Sequence, residues 1–441
     1  MRLHMEKTIS RIMISMTVIF LLSFLQYFLP IEPIMQLIPV LLLIFMAYMI
    51  LIFSNPIILS RIISRIFAPK SLLFILALTS VPIIVSSFSG RVYPVLYGCL
   101  MILTLFSIRV ILSAVTIEVV LTSYFYASVI AVPVFVILSG RTLFDTIIGN
   151  KRLFIFYFHP NLIAFLIGGF IPVQFWKLRT LTKKRLWILT LIFVGSIIIF
   201  FSSSRGAMVA ILVGVGAIFV VYNIKQIRNG SIILKGRHFF YAAFILVVTL
   251  TILIFRPQTI NEVLWYFADK LDLFSPYRGL GTGLTGRIDK WNFTLYTLER
   301  GSWFLGNGFR SGSADLGFSI DNGYLTLIYE IGLVPALLVM TKYIWFTLSF
   351  TLKYLRARTF QETALYLSLV FIMVVFLTNN IVARYLFGLG NPFSLLALFF
   401  LLLSRKDLKD RCWIQVKNVG YKKVKGLLIP LKVRQYSEKT S

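Results

Sequence analysis

The 441-residue sequence predicts an all-α, polytopic membrane protein with about twelve transmembrane helices and one long extracytoplasmic loop that contains short helices. Hydrophobic residues make up 58% of the chain, charged residues 14%, and the mean hydropathy is +0.88. A soluble domain is roughly half apolar and a quarter charged, so a water-soluble core could not bury this much apolar surface. The composition therefore excludes an ordinary cytosolic enzyme, a disordered chain and a disulfide-stabilised scaffold.

Twelve apolar runs are long enough to cross a bilayer. A run of about 20 apolar residues spans as a helix, because lipid offers the backbone no other hydrogen-bond partners. No small-residue cleavage site follows the first run, which we interpret as a retained signal-anchor. The runs cover residues 12–29, 35–54, 71–89, 92–108, 112–139, 153–176, 186–202, 206–222, 239–255, 322–348, 362–380 and 385–404.

This pattern predicts four regions along the chain. They are spans one to nine in residues 1–255, an extracytoplasmic loop in 256–321, spans ten to twelve in 322–404, and a basic cytoplasmic tail in 405–441.

Basic residues are distributed unevenly between the two predicted sides of the membrane. With the N-terminus in the cytoplasm, 31 of the 44 basic residues lie on the cytoplasmic side, 11 of them in the tail. This asymmetry agrees with the positive-inside rule, and twelve spans place both termini in the cytoplasm. We interpret the tail as an anchor to anionic membrane lipids, or alternatively as a docking site for a cytoplasmic partner. The net charge of +28 is thus explained by topology, and no nucleic-acid partner is expected.

The loop 256–321 is the single long hydrophilic segment between predicted spans. It carries seven basic and seven acidic residues, and its three tryptophans argue against disorder. Ile288, Trp291, Leu295 and Leu298 recur at helical spacing and predict an amphipathic helix over 287–300. Arg287 precedes Trp291 by four residues, so both side chains are expected on one face of that helix.

Several familiar motifs do not apply here. The GxGxxG match at 281–286 lacks the preceding strand of a dinucleotide site, and we interpret it as a flexible turn. Residues 202–206 lack the first glycine of a serine-hydrolase elbow. Neither the two cysteines nor the three histidines have metal-site spacing, so no metal or cofactor is expected.

Two arginines are candidates for phosphate binding. Arg205 follows Ser203-Ser204 at the extracytoplasmic junction of predicted spans seven and eight, and Arg287 begins the predicted loop helix. A guanidinium binds phosphate oxygens bidentately and keeps its charge. The alternatives are a membrane-surface anchor for Arg205 and an ordinary surface charge for Arg287.

Two further motifs follow the predicted loop helix. Gly306 and Gly308 form a turn that either lets a ligand approach the backbone or simply reverses the chain. Asp321 lies where the chain re-enters the membrane. Its carboxylate is either a general base or an ion-pair partner of an arginine.

In this order, the motifs resemble those of the O-antigen ligase and Wzy-type polysaccharide polymerase superfamily. That family has an SRG motif at the end of one span, an arginine four residues before a tryptophan, a GxG turn, and an Asp-Asn or His-Asn pair after the loop. An Asn-bearing element in an earlier span is similar to His159-Pro160-Asn161. The resemblance covers about 170 residues, from Ser202 to Phe376. Its matching residues are Arg205, Arg287, Trp291, Gly306, Gly308, Asp321 and Asn322.

The resemblance implies a GT-C-like membrane fold in the bacterial plasma membrane and a metal-independent glycosyltransferase. Its substrate would be an undecaprenyl-diphosphate-linked oligosaccharide, transferred to a hydroxyl of a second lipid-linked glycan. Arg205 and Arg287 would stabilise the leaving diphosphate and Asp321 would act as base. The implied substrate-binding residues are Arg310, Arg278, Trp291, Asn322, Tyr324, His159 and Asn161.

Related ligases typically carry histidine where this chain has Asp321, which favours a repeat-unit polymerase over an O-antigen ligase. Membrane lipids, a chain-length-determining co-polymerase and a flippase are the further implied partners. A transporter such as a lipid-linked oligosaccharide flippase is the competing class, since it also has about twelve spans. The sequence shows no internal repeat, and Glu118 is almost the only deeply placed charge, which disfavours a transporter.

Overall fold

The computed structural model describes residues 2–28, 37–54, 56–148, 160–181, 183–229, 265, 283–301, 303–383, 387–404, 421–424 and 427–430. Within these ranges the chain is helical apart from a short antiparallel hairpin near the C-terminus, formed by β1 (Tyr421–Val424) and β2 (Leu427–Pro430). The prediction of a helical membrane region is confirmed for the described residues.

The described helices fall, in chain order, into two parts of the chain. In the first part of the chain they are α1 (Arg2–Leu25), α2 (Ile38–Phe53), α3 (Pro56–Ile66), α4 (Pro69–Phe88), α5 (Val92–Ala114), α6 (Ile117–Ile148), α7 (Pro160–Thr180), α8 (Arg185–Phe201) and α9 (Arg205–Arg228). In the second part they are α10 (Gly283–Arg300), α11 (Ser311–Leu316), α12 (Gly323–Ile331), α13 (Leu333–Arg356), α14 (Phe360–Asn379) and α15 (Pro392–Leu402).

Eight of these helices are long and apolar enough to cross a membrane: α1, α4, α5, α6, α7, α9, α13 and α14. Three shorter apolar helices, α2, α8 and α15, overlap the second, seventh and twelfth predicted runs. The ninth predicted run, 239–255, lies outside the described residues. The chain is therefore a multi-pass helical membrane protein.

The tenth predicted run is interrupted. Instead of one helix over 322–348, the chain forms α12 and α13, which meet at Gly332 with φ of 87°. This left-handed conformation is strained for residues with a side chain, so the break depends on glycine. The prediction of a continuous helix was wrong here because hydropathy does not register a single residue whose backbone leaves the helical conformation.

Small residues bring α9 and α14 close together. A Cβ at Gly214 would lie 2.5 Å from the Phe371 ring, and one at Gly206 would lie 2.4 Å from the Val382 side chain. Glycine removes the side chains that would otherwise separate two helices. The start of α9 and the end of α14 therefore meet at one end of the bundle, which also carries α10 and α11 and is called the loop end below.

A buried lysine joins the same helices at the opposite end. Lys225 of α9 donates hydrogen bonds to the carbonyl oxygens of Tyr354 (3.0 Å) and Ala357 (2.8 Å), and to the Thr363 hydroxyl (3.2 Å). The two carbonyls lie at the C-terminal end of α13, where a cation also interacts favourably with the helix dipole. One side chain thus fixes the turn between α13 and α14.

We predict that Lys225→Met lowers the melting temperature of the protein in detergent. The variant keeps the apolar stem but removes three charge-assisted hydrogen bonds, each worth about 1.5–3 kcal/mol. Lys184→Met, at an exposed position between α7 and α8, is the matched control. Equal melting temperatures for the two variants would show that Lys225 does not hold this turn.

Candidate functional site

An open pocket at the loop end joins four segments that are distant in sequence. The space between these segments, including the open solvent at its mouth, is about 290 Å³. Its lining includes Arg205 and Arg287, the two arginines that the sequence proposes as phosphate ligands, and Asn161 from the start of α7. The remaining lining residues are Phe165, Ser203, Ser204, Gly206 and Val382.

The turn between α8 and α9 places Arg205 at the pocket. Ser203 has φ of 53°, and its N–H donates to the Phe200 carbonyl at 2.9 Å, so the chain reverses within three residues. Arg205 is the first residue of α9, and Ser204 before it makes no side-chain capping bond. The N-terminus of a helix carries partial positive charge, so a guanidinium there adds to a potential that favours anions.

Arg287 lies on the buried face of α10. The predicted helix over 287–300 is confirmed, and it begins at Gly283. Its buried face contains Trp291, Thr294 and Leu298, which follow Arg287 at intervals of four, three and four residues. The predicted apolar stripe is wrong at two positions, because Ile288 is 42% and Leu295 is 38% exposed.

A small apolar cluster holds α10 against α12. Leu298 packs with Ile320, Leu325 and Tyr329, and the Trp291 ring packs against the same cluster. The Trp291 indole nitrogen is buried and, among the described residues, has no hydrogen-bond partner. Trp291, expected as a substrate ligand, therefore contributes to the packing that positions Arg287 one turn before it.

Asp321 lies beside Arg287, immediately before α12. Its Oδ2 atom is 3.9 Å from Arg287 Nε and 4.0 Å from Lys290 Nζ, and Ser319 donates to Oδ1 at 3.2 Å. Both cation distances exceed hydrogen-bond length, so these contacts are electrostatic. The carboxylate side chain is 37% exposed and stays accessible.

Lys290 is a further cation beside Asp321 that the sequence motif does not single out. Its spacing of three residues from Arg287 would have placed both cations on neighbouring positions of one helix surface.

Asn322 and Tyr324, also expected as substrate ligands, make contacts within the protein. The Asn322 Oδ1 atom accepts hydrogen bonds from the N–H groups of Tyr324 and Leu325, both at 3.0 Å, and so caps α12. The Tyr324 hydroxyl donates to the Leu377 carbonyl at 2.7 Å. These contacts fix the start of α12, and with it the position of Asp321.

Of the other expected substrate ligands, one is placed elsewhere and two are not described. Arg310 does not line the pocket; its guanidinium lies 4.9 Å from the centre of the Tyr97 ring. His159 and Arg278 lie outside the described residues.

The glycine turn at 306–308 contacts protein backbone. A Cβ at Gly306 would lie 2.5 Å from the Gly332 nitrogen. The N–H groups of Asn307 and Gly308 donate to the carbonyls of Tyr329 (2.8 Å) and Glu330 (3.0 Å). Of the two sequence alternatives, this geometry matches chain reversal, with the close approach made to the break between α12 and α13.

The fold and these contacts define a multi-pass helical membrane protein with a cationic pocket at one end of the helix bundle. Comparison of the chain with protein-family models, with curated proteins and with solved structures finds no match. The functional argument therefore rests on the chemistry of the pocket and on the order of its motifs.

We predict that Gly306→Ala lowers the melting temperature more than Gly317→Ala. Both glycines have nearly the same left-handed φ, 71° and 70°, so both variants incur the same backbone strain of about 1–2 kcal/mol. Only at position 306 would the new methyl group clash with backbone, since nothing lies within 4 Å of a Cβ at Gly317. Equal shifts in thermal unfolding would argue against close packing at Gly306.

Proposed function

We propose that the protein is a polymerase of lipid-linked oligosaccharide repeat units, acting at the extracytoplasmic face of the bacterial plasma membrane. The observation that carries the proposal is the meeting of Arg205 and Arg287 in one pocket, with Asp321 beside Arg287. These are the residues on which the resemblance to Wzy-type polymerases depends. They come from three separate segments, and sequence order alone does not require them to be neighbours.

The charge of the pocket supports an anionic ligand. Arg205 and Arg287 line the pocket, and beside Arg287 the Lys290 ammonium and the Asp321 carboxylate add one charge of each sign. Two guanidiniums in one pocket repel each other. A diphosphate bound between them would be attracted to both, and this attraction would outweigh the repulsion. The N-terminus of α9 adds favourable backbone dipoles.

The proposed reaction is a glycan transfer. The hydroxyl oxygen of the acceptor glycan bonds to the anomeric carbon of the donor glycan, and the bond from that carbon to the undecaprenyl diphosphate oxygen breaks. Arg205 and Arg287 stabilise the charge that develops on the leaving diphosphate. Asp321 accepts the hydroxyl proton, and its partial exposure lets an acceptor reach it. The isoprenoid chain would lie between the membrane helices.

Reconstitution with a lipid-linked repeat unit tests the class of activity. A ladder of longer glycans supports a polymerase. Transfer of a glycan to a different acceptor without a ladder would indicate a ligase-type transferase. Movement of the substrate across the bilayer without elongation would indicate a flippase, and either result would contradict the proposal.

We predict that Arg287→Ala lowers the elongation rate about 100- to 1,000-fold, which corresponds to about 3–4 kcal/mol of lost transition-state stabilisation. Arg300→Ala is the control, because Arg300 is on the same helix but is exposed and stacks on Tyr296. Polymer length and yield are measured at equal protein levels. Unchanged elongation by Arg287→Ala would remove the proposed role of this guanidinium.

We predict that Asp321→Asn lowers elongation about 100-fold or more while undecaprenyl diphosphate still binds, because the amide keeps the shape but cannot accept the proton. Glu299→Gln is the control, since Glu299 is an exposed carboxylate near the other end of α10. The rate and the binding constant are measured on the same preparation. Retained full activity of Asp321→Asn would exclude a base role.

A further inference from the structure

A second polar cluster lies at the far end of α12 from Asp321. At its centre, the Arg310 guanidinium lies 4.9 Å from the Tyr97 ring centre and within electrostatic reach of Glu330 and Tyr93. Tyr27 is within reach of both Arg310 and Tyr97, and it is hydrogen-bonded to Gln26. The members of this Arg310 cluster are Gln26, Tyr27, Tyr93, Tyr97, Arg310 and Glu330.

Two features distinguish the cluster from ordinary packing. The Arg310 Nε atom and the Gln26 Oε1 atom are both buried and, among the described residues, lack a hydrogen-bond partner. Unpartnered buried polar atoms are rare in native proteins and call for water or a ligand. Arg310 also has φ of 60°, a conformation that costs energy outside glycine and is concentrated at functional sites.

The charges of the cluster differ from those of the pocket. Arg310 and Glu330 balance each other, and the neighbouring ion pair of Arg91 and Asp315 is also neutral. A diphosphate would therefore gain little here. A guanidinium, a carboxylate and an amide can instead donate to and accept from the hydroxyls of an uncharged sugar. Tyr93, which is 59% exposed at the rim, offers an amphipathic ring face to it.

We propose that the Arg310 cluster is a carbohydrate subsite that holds the acceptor glycan. This inference rests on the proposed function, since a polymerase must bind two lipid-linked glycans at once. The two sites flank α12: Asp321 precedes it, and Glu330 is near its end, about 10 Å from Gly323 at 1.5 Å per residue. The acceptor glycan then extends along α12 towards Asp321, while its donor partner is held at Arg205 and Arg287.

Two binding probes separate the two sites in the full-length protein in lipid nanodiscs. One is undecaprenyl diphosphate, and the other is the oligosaccharide released by mild acid from the lipid-linked repeat units of the native host. Tyr93→Ala is the main variant, because truncating an exposed ring leaves the packing intact. Tyr48→Ala, on α2 and 58% exposed, is the matched control.

We predict that Tyr93→Ala weakens oligosaccharide binding about tenfold, the loss of roughly one good contact, and leaves undecaprenyl diphosphate binding unchanged. Arg287→Ala should weaken undecaprenyl diphosphate binding and leave oligosaccharide binding unchanged. Tyr48→Ala should change the binding of neither probe. In the elongation assay, Tyr93→Ala should raise the KM for acceptor and leave that for donor unchanged.

Unchanged oligosaccharide binding by Tyr93→Ala, or equal weakening of both probes, overturns the subsite. If the native protein binds undecaprenyl diphosphate but no oligosaccharide, the proposed subsite is wrong and the proposed function is retained. If it binds neither probe and elongates no glycan, the subsite and the proposed function are both wrong.

Discussion

The contact between the backbones at Gly306 and Gly332 determines where both polar clusters lie. The contact joins the turn after α10 to the break between α12 and α13. The two backbone segments are so close that a side chain at Gly306 or Gly332 would clash. On one side of this contact, α10 presents Arg287 to the pocket. On the other, Phe309 packs beneath Tyr97 and Arg310 follows it. Since α12 is fixed between them, the distance between Asp321 and Glu330 is set by helix length.

The pocket depends on packing that overcomes an unfavourable electrostatic arrangement. Arg205 and Arg287 line the same pocket and repel each other, and Lys290 lies with Arg287 beside Asp321. Apolar contacts hold them in place: in α9, Gly214 packs against α14 and Gly206 packs against Val382 just beyond it, and α10 packs through Leu298. A cationic site that is assembled before the ligand arrives needs no reorganisation when charge develops on a leaving group.

The membrane helices follow from sequence because they obey a local rule. A lipid-exposed segment must satisfy its own backbone hydrogen bonds, so each long apolar run becomes a helix whatever surrounds it. The helix at α10 was equally predictable from its periodicity. The interruption at Gly332 was not, because Gly332 is one glycine within an apolar run and the backbone of residues 304–306 that packs against it is distant in sequence.

The sequence by itself determined the residue types of the pocket. Arg205, Arg287 and Asp321 were selected from short motifs, because a guanidinium and a carboxylate have recognisable chemistry wherever they occur. Only the tertiary structure decided which of the candidates meet. It placed Asn161 in the pocket and Arg310 in a separate cluster, and it engaged Asn322 and Tyr324 in fixing α12. The physical reason is that helix formation depends on near neighbours in the chain, whereas the position of a side chain relative to distant segments depends on how whole helices pack.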